Sequence, residues 1–171
     1  MALLKILEFP NPKLRQRASE VKVFDNTLKT TCEDMLETMY NAKGIGLAAI
    51  QVNILKRIVV IDLSEEKNNP LIFINPEIIK VSEDTKQYGE GCLSVPGIYE
   101  NVMRPNSFIG RYFDVNGLSH QLEADGLLSV CLQHEIDHLN GRVFVDHLSR
   151  LKQEKIIRKL QKERRRSLAE A

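Results

Sequence analysis

Apolar residues recur along this chain with two different periods, and the points where one gives way to the other mark out its elements. After Asp25, a capping residue type, Leu28, Cys32, Met35, Leu36 and Met39 fall on one helical face, which predicts an amphipathic helix ending before Gly44. Residues 57 to 63, 71 to 75, 77 to 81, 98 to 103, 107 to 115 and 119 to 123 are rich in Ile, Val, Phe and Tyr. Punctuated by Pro76, Pro105 and Asn116-Gly117, they are expected to be strands, the last two joined by a hairpin turn. Helical period returns at Leu127, Leu128, Cys131, Leu132, Ile136 and Leu139, between a start at Asp125 or Gly126 and a stop at Asn140-Gly141. That pattern is apolar nearly all round, so this helix belongs in the middle of a domain. A last helix is expected over about 149–166, capped by Ser149, with a stripe of Leu151, Ile156, Ile157 and Leu160 that runs out near residue 160.

Strands with short turns, one helix ahead of them and two behind, predict an α+β fold: antiparallel sheets packed around the central buried helix, followed by a basic C-terminal helix. No linker rich in Gly, Ser or Pro divides the 171 residues, so residues 1–171 are expected to form a single domain. The opening segment is apolar but broken by Lys5 and Glu8 and carries no signal-peptide pattern, which predicts a cytoplasmic protein with no membrane span. Three cysteines do not make a disulfide framework and stay free as ligands in a reducing compartment.

The net charge of +1 hides an asymmetry. Residues 150 to 166 carry +7 and the rest of the chain −6, so the last helix is a separate electrostatic object. Its cations suit a helix C-terminus, and equally a polyanionic surface such as RNA.

The central helix contains His134-Glu135-Ile136-Asp137-His138. Residues four apart lie about one turn apart on one face, so two imidazoles converge on one ion while Glu135 reaches a water bound to it. An open catalytic site needs a third protein ligand. Cys131 lies on the same face, but an ion midway between the histidines sits about 7.5 Å further along the axis, beyond a cysteine's reach. Cys32 belongs to the apolar face of another helix. Cys92, in Glu90-Gly-Cys-Leu-Ser-Val-Pro96, lies in a bend that presents both a thiolate and a free backbone N–H. The downstream histidine of the longer protease motif is absent, Phe144 standing in its place, and Glu154 is the nearest later glutamate.

Gly44-Ile-Gly-Leu-Ala-Ala-Ile-Gln51 matches a dinucleotide-binding fingerprint in letters only, since a helix precedes it where a strand is required. Its glycines instead suit a loop whose backbone approaches a ligand, with Gln51 adding an amide.

These three segments, in this order and separation, resemble the signature motifs of the peptide deformylases, and the resemblance covers nearly the whole chain. It implies that Cys92, His134 and His138 hold one divalent ion, normally Fe2+ in that family, although the donor set suits Zn2+ as well. It also implies Glu135 as general acid/base, and the Gln51 amide with the Leu93 N–H as donors to a developing oxyanion. The substrates would be nascent peptides that begin with N-formylmethionine. Ile45, Leu127, Val130 and Cys131 would form a methionine pocket with Tyr88 at its rim, while backbone of Ile45, Gly46 and Gly91 pairs with the peptide. Glu90 stands on the substrate side, with Arg104 as a partner that stiffens the cysteine segment. The basic C-terminal helix resembles that of bacterial members that act at the ribosome. Two other readings use the same residues: a metallopeptidase with Glu154 as third ligand, or an RNA-binding protein whose structural metal takes a fourth ligand, for which His120 and His147 are the spare histidines.

Overall fold

The computed structural model describes residues 2–170. Asp25 accepts a hydrogen bond from the Leu28 N–H and starts α1, Asn26–Asn41. Strands β1 (Gly46–Ala48), β2 (Ile58–Ile61), β3 (Leu71–Val81), β6 (Ser107–Phe113) and β7 (Ser119–Asp125) form an antiparallel sheet in the order β1-β2-β3-β6-β7. Between β3 and β6 the chain makes a separate two-stranded sheet, β4 (Thr85–Cys92) with β5 (Val95–Pro105). Helix α2, Gly126–Leu139, follows β7 directly, and α3, Arg150–Glu170, closes the chain.

Strand β2 shows how the layers meet. All four of its residues are buried, and successive side chains point to opposite faces. Ile58 and Val60 pack with Leu28, Met35 and Met39 of α1. Val59 and Ile61 join the larger cluster with Leu132, Ile136 and Leu139 of α2. Burying an aliphatic side chain is worth about 1.5–3 kcal/mol, so a strand apolar on both faces is stable only between two layers. α2 ends where Gly141 takes φ +78°, with the Arg15 carbonyl oxygen 2.5 Å from where a Cβ would lie. Glycine is required there both for the turn and for the close approach.

The fold differs from the sequence expectation in four places. Gly46–Ala48, expected within a loop, pairs with β2 as strand β1. β3 runs through Pro76 because the break is a bulge: Asn75 takes φ +50°, the register against β6 shifts between Ile74 and Glu77, and no ladder bond is asked of the proline. The Asn75 side chain accepts from the Val21 N–H at 2.8 Å and donates to its carbonyl at 2.9 Å, so the bulge also ties down the N-terminal segment. β4 had no expected strand, since Glu90 is the one buried residue in Thr85–Cys92 and no apolar alternation marks it. Lastly, α3 continues past its stripe to Glu170. Its buried residues are Ile156 and Leu160, and Arg164 donates to the Phe9 carbonyl. No described helix is long and apolar enough to cross a membrane.

Candidate metal centre and cleft

α2 places the His134 and His138 rings one turn apart, with centroids separated by 5.0 Å. Cys92 comes from the end of β4, where the register shifts after Glu90 and the chain turns back so that Cys92 pairs with Val95. One ligand atom from each of Cys92, His134 and His138 lies within 4.8 Å of the other two, and Cys92 Sγ is 3.3 Å from His138 Nε2. Donors around one tetrahedral ion with bonds of about 2.0–2.3 Å stand roughly 3.3–3.6 Å apart, so the three are already at the scale of a shared cation.

The surroundings fix how His134 offers its lone pair. Its Nδ1 donates to Glu90 Oε1 at 2.9 Å, which leaves Nε2 as the ligating atom. Glu90 is gripped in turn by Arg104, through Nη2 to Oε1 at 2.9 Å and Nε to Oε2 at 2.5 Å. Arg104 donates also to Asp137 Oδ2 at 3.0 Å, and the same oxygen lies 3.0 Å from His147 Nε2. Burial alone would raise the Glu90 carboxyl, but the bonds from His134 and Arg104 outweigh it and hold the group below the usual carboxylate range. Burial likewise opposes a charge on His134, yet Cys92 and Glu90 keep that ring well above its ordinary value. Burial and the neighbouring His134 charge hold His138 well below it. One thiolate and two imidazoles at these separations form a donor set that fits a divalent metal.

Glu135 is 3% exposed, with Oε1 3.8 Å from His134 Nε2. Burial pushes its carboxyl up to about 7, a range in which it both takes and gives a proton. β1 passes close over it: a Cβ at Gly46 would lie 3.0 Å from Glu135 Oε2. Gln51, in the short helical turn Ala49–Val52, accepts from the Ala48 N–H at 2.9 Å and donates from Nε2 to Ser94 Oγ at 3.0 Å. Its Nε2 is 3.5 Å from Cys92 Sγ, so the amide hydrogens face the centre.

Cys92, His134 and Glu135 border a cleft of about 460 Å³. Ile45 and Gly46 border it from β1 and the residue before, while Gly91 and Leu93 border it from the hairpin side. Leu127, Val130 and Cys131 line it from α2. Cys131 stands outside the donor set, and burial raises its thiol to about 12, as suits a wall residue rather than a ligand. Tyr88 does not line the cleft. It shares a strand face with Glu90, and its hydroxyl lies 3.5 Å from Asn106 Oδ1. Glu90 does border the cleft, but both its oxygens are engaged by Arg104 and His134, so it orients the ligand rather than standing free for a substrate.

Ser94 and Asp137 were not among the expected site residues, and His147, expected only as a spare ligand, holds Asp137 instead. Ser94 was signalled only by adjacency to the cysteine bend, and Asp137 only by its place inside the histidine motif. The rival ligand schemes find no support. Glu154 is on α3, 3.7 Å from Arg150, and the histidines at 120 and 147 pair with Asp114 and Asp137. Among the described residues, Cys92, His134 and His138 are the one cluster able to hold an ion.

The family model of polypeptide deformylase matches residues 3–154. The peptide deformylase of Pseudomonas aeruginosa is 56% identical over 165 residues, covering 96% of this chain and 98% of that relative. That of Azotobacter vinelandii is 55% identical over the same shares. Among solved structures, the peptide deformylase of Legionella pneumophila superposes with a TM-score of 0.92 at 44% identity, covering 98% of both chains. That of Ehrlichia chaffeensis in complex with actinonin gives 0.91 at 40% identity, covering 95% of this chain and 98% of that one. This chain belongs to the peptide deformylase family, enzymes that remove the N-formyl group from newly made polypeptides.

Proposed function

We propose that residues 1–171 act as one catalytic unit in the cytoplasm, in which Cys92, His134 and His138 hold a divalent ion and Glu135 moves the protons of formyl hydrolysis. The observation that carries this reading is the donor cluster within 4.8 Å, with the buried Glu135 carboxyl beside it. Ferrous iron is the ion we assign from family membership; the ligand types accept zinc equally. When bound, such an ion activates a water near neutral pH and polarises the formyl oxygen.

The chain's own groups do the rest. Glu135 takes the proton of the attacking water and returns it to the leaving nitrogen, giving formate and a free amine. The Gln51 amide and the Leu93 N–H stabilise the oxyanion that builds during attack. Ile45, Leu127, Val130 and Cys131 receive the methionine side chain. β1 is an edge strand of the main sheet, so its backbone at Gly46, with that of Ile45 just before it, is suited to pair with an extended peptide. The exposed cations of α3, Arg165 and Arg166 among them, are our candidate for docking on ribosomal RNA.

The deciding experiment incubates metal-loaded protein, without air, with a formyl-methionyl peptide and follows formate and free amine. Cleavage of internal peptide bonds without formate would select the metallopeptidase reading instead. Gln51→Ala is expected to depress turnover about a hundredfold, the loss of one oxyanion donor, with metal content retained. Full activity in that variant removes Gln51 from the reaction.

A further inference from the structure

The cleft carries one unpaired charge, on the turn that follows α1. Lys43 follows α1 with φ +59°, in the left-handed region that glycine or asparagine usually fills at a helix end. Its N–H donates to the Tyr40 carbonyl at 3.0 Å, so the position is fixed while the side chain is exposed. Lys43 is the one lysine or arginine among the described residues that line the cleft, and it has no ion-pair partner among them. The Gly44 N–H donates to the Met39 carbonyl at 2.9 Å, so this conformation closes the helix, and what singles Lys43 out is its unpaired charge at the cleft.

The hairpin supplies the other border of this mouth. Tyr99 is 77% exposed, and its ring lies against the Gly91 backbone, where a Cβ would come within 2.4 Å of Cε1. The adjacent acid, Glu100, is held by Lys152 of α3 at 3.3 Å, so it is already engaged away from Lys43. Glu90 is matched by Arg104, and Glu135 lies at the reacting end. The charge at the mouth is therefore positive, beside a flat apolar wall.

An extended chain advances about 3.3 Å per residue. A peptide paired along β1, with its formyl end at Glu135 beside Gly46, runs outward past Ile45 and Gly44 toward Lys43. We infer that Lys43 and Tyr99 form a subsite for the second or third residue of the peptide, which favours an acidic side chain there and disfavours a basic one. This rests on the deformylase reading of the cleft and adds the sequence preference beyond methionine.

The test measures kcat/KM of the metal-loaded full chain on formyl-Met-X-Ala and formyl-Met-Ala-X, with X as Glu, Gln or Lys. Surface charges roughly 6–8 Å apart predict a preference of Glu over Lys of about tenfold at one of the two positions in dilute buffer, shrinking as salt is added. Lys43→Glu should invert the order. Tyr99→Ala should lower kcat/KM for all three residues alike and leave the order unchanged, because the ring contributes a neutral wall. Formate release from the glutamine peptides with Glu and Lys treated alike overturns the subsite and leaves the deformylase reading standing. An order that survives Lys43→Glu overturns it too, and no formate from any peptide overturns both.

Discussion

Glu135→Gln is expected to lower turnover of a formyl peptide by about a thousandfold or more while the bound metal stays in place. The substitution keeps the shape of a side chain that is 3% exposed and tightly covered by β1 at Gly46, so folding is little disturbed. What it removes is a group able to accept a proton. Burial pushes the carboxyl up to about 7, and a divalent cation held by its neighbour His134 would pull it back down. The wild-type rate should therefore rise with pH through a limb lying below 7, as Glu135 loses its proton. In the glutamine variant the residual rate should lack that limb. Metal analysis beside kcat separates the outcomes: lost turnover with metal retained assigns the proton transfer to Glu135, and undiminished turnover moves it elsewhere.

The second large effect is on stability. Arg104→Met is expected to destabilise the fold by about 3–5 kcal/mol, a large fraction of a typical total of roughly 5–15. Arg104 is 4% exposed and holds the buried Glu90, which would lose its guanidinium partner, together with the partly buried Asp137, which would keep only His147. The sign of the accompanying pH effect follows from the direction of both shifts. Glu90 and Asp137 are held below the usual carboxylate range in the folded chain, so they stabilise it at neutral pH. That contribution is lost as pH falls through their folded-state values. Urea midpoints measured across the acid range should show this loss in wild type and a flatter dependence in the variant. Arg104→Lys restores the charge without the two-pronged grip and should recover part of the stability. Metal affinity should also fall by about 10–100-fold in Arg104→Met, because Glu90 is no longer fixed against His134 Nδ1. A midpoint equal to that of wild type would mean that the buried carboxylates find other partners.

Much of the site was legible because its signals are local. The buried helix announces itself through apolar period and a glycine stop, and Gly126–Leu139 matches the expected bounds. The histidine motif needs only helical geometry to converge, and the bend at Cys92 needs only its flanking glycine and proline. What stayed hidden depends on partners far along the chain. The bond from Arg104 to Glu90, 14 residues away, was expected, but its second bond, to Asp137, 33 away, is a pairing no periodicity encodes. β4 was missed because a strand whose buried residue is a glutamate carries no alternating apolar code. Tyr88 was assigned to the rim by resemblance, whereas its hydroxyl stands against Asn106. Pro76 looked like a terminator because sequence alone does not show that Asn75 would absorb it in a bulge.

The division of the strands into two sheets bears on how the centre comes together. Both imidazoles ride on α2, packed against the main sheet, while the sulfur arrives on a hairpin with its own ladder. An ion gripped by all three would rivet the hairpin to α2. Its affinity and the order of the hairpin then become one free energy seen from two ends: whatever frays β4–β5 loosens the ion, and every ion bound clamps the wall against which the peptide must lie.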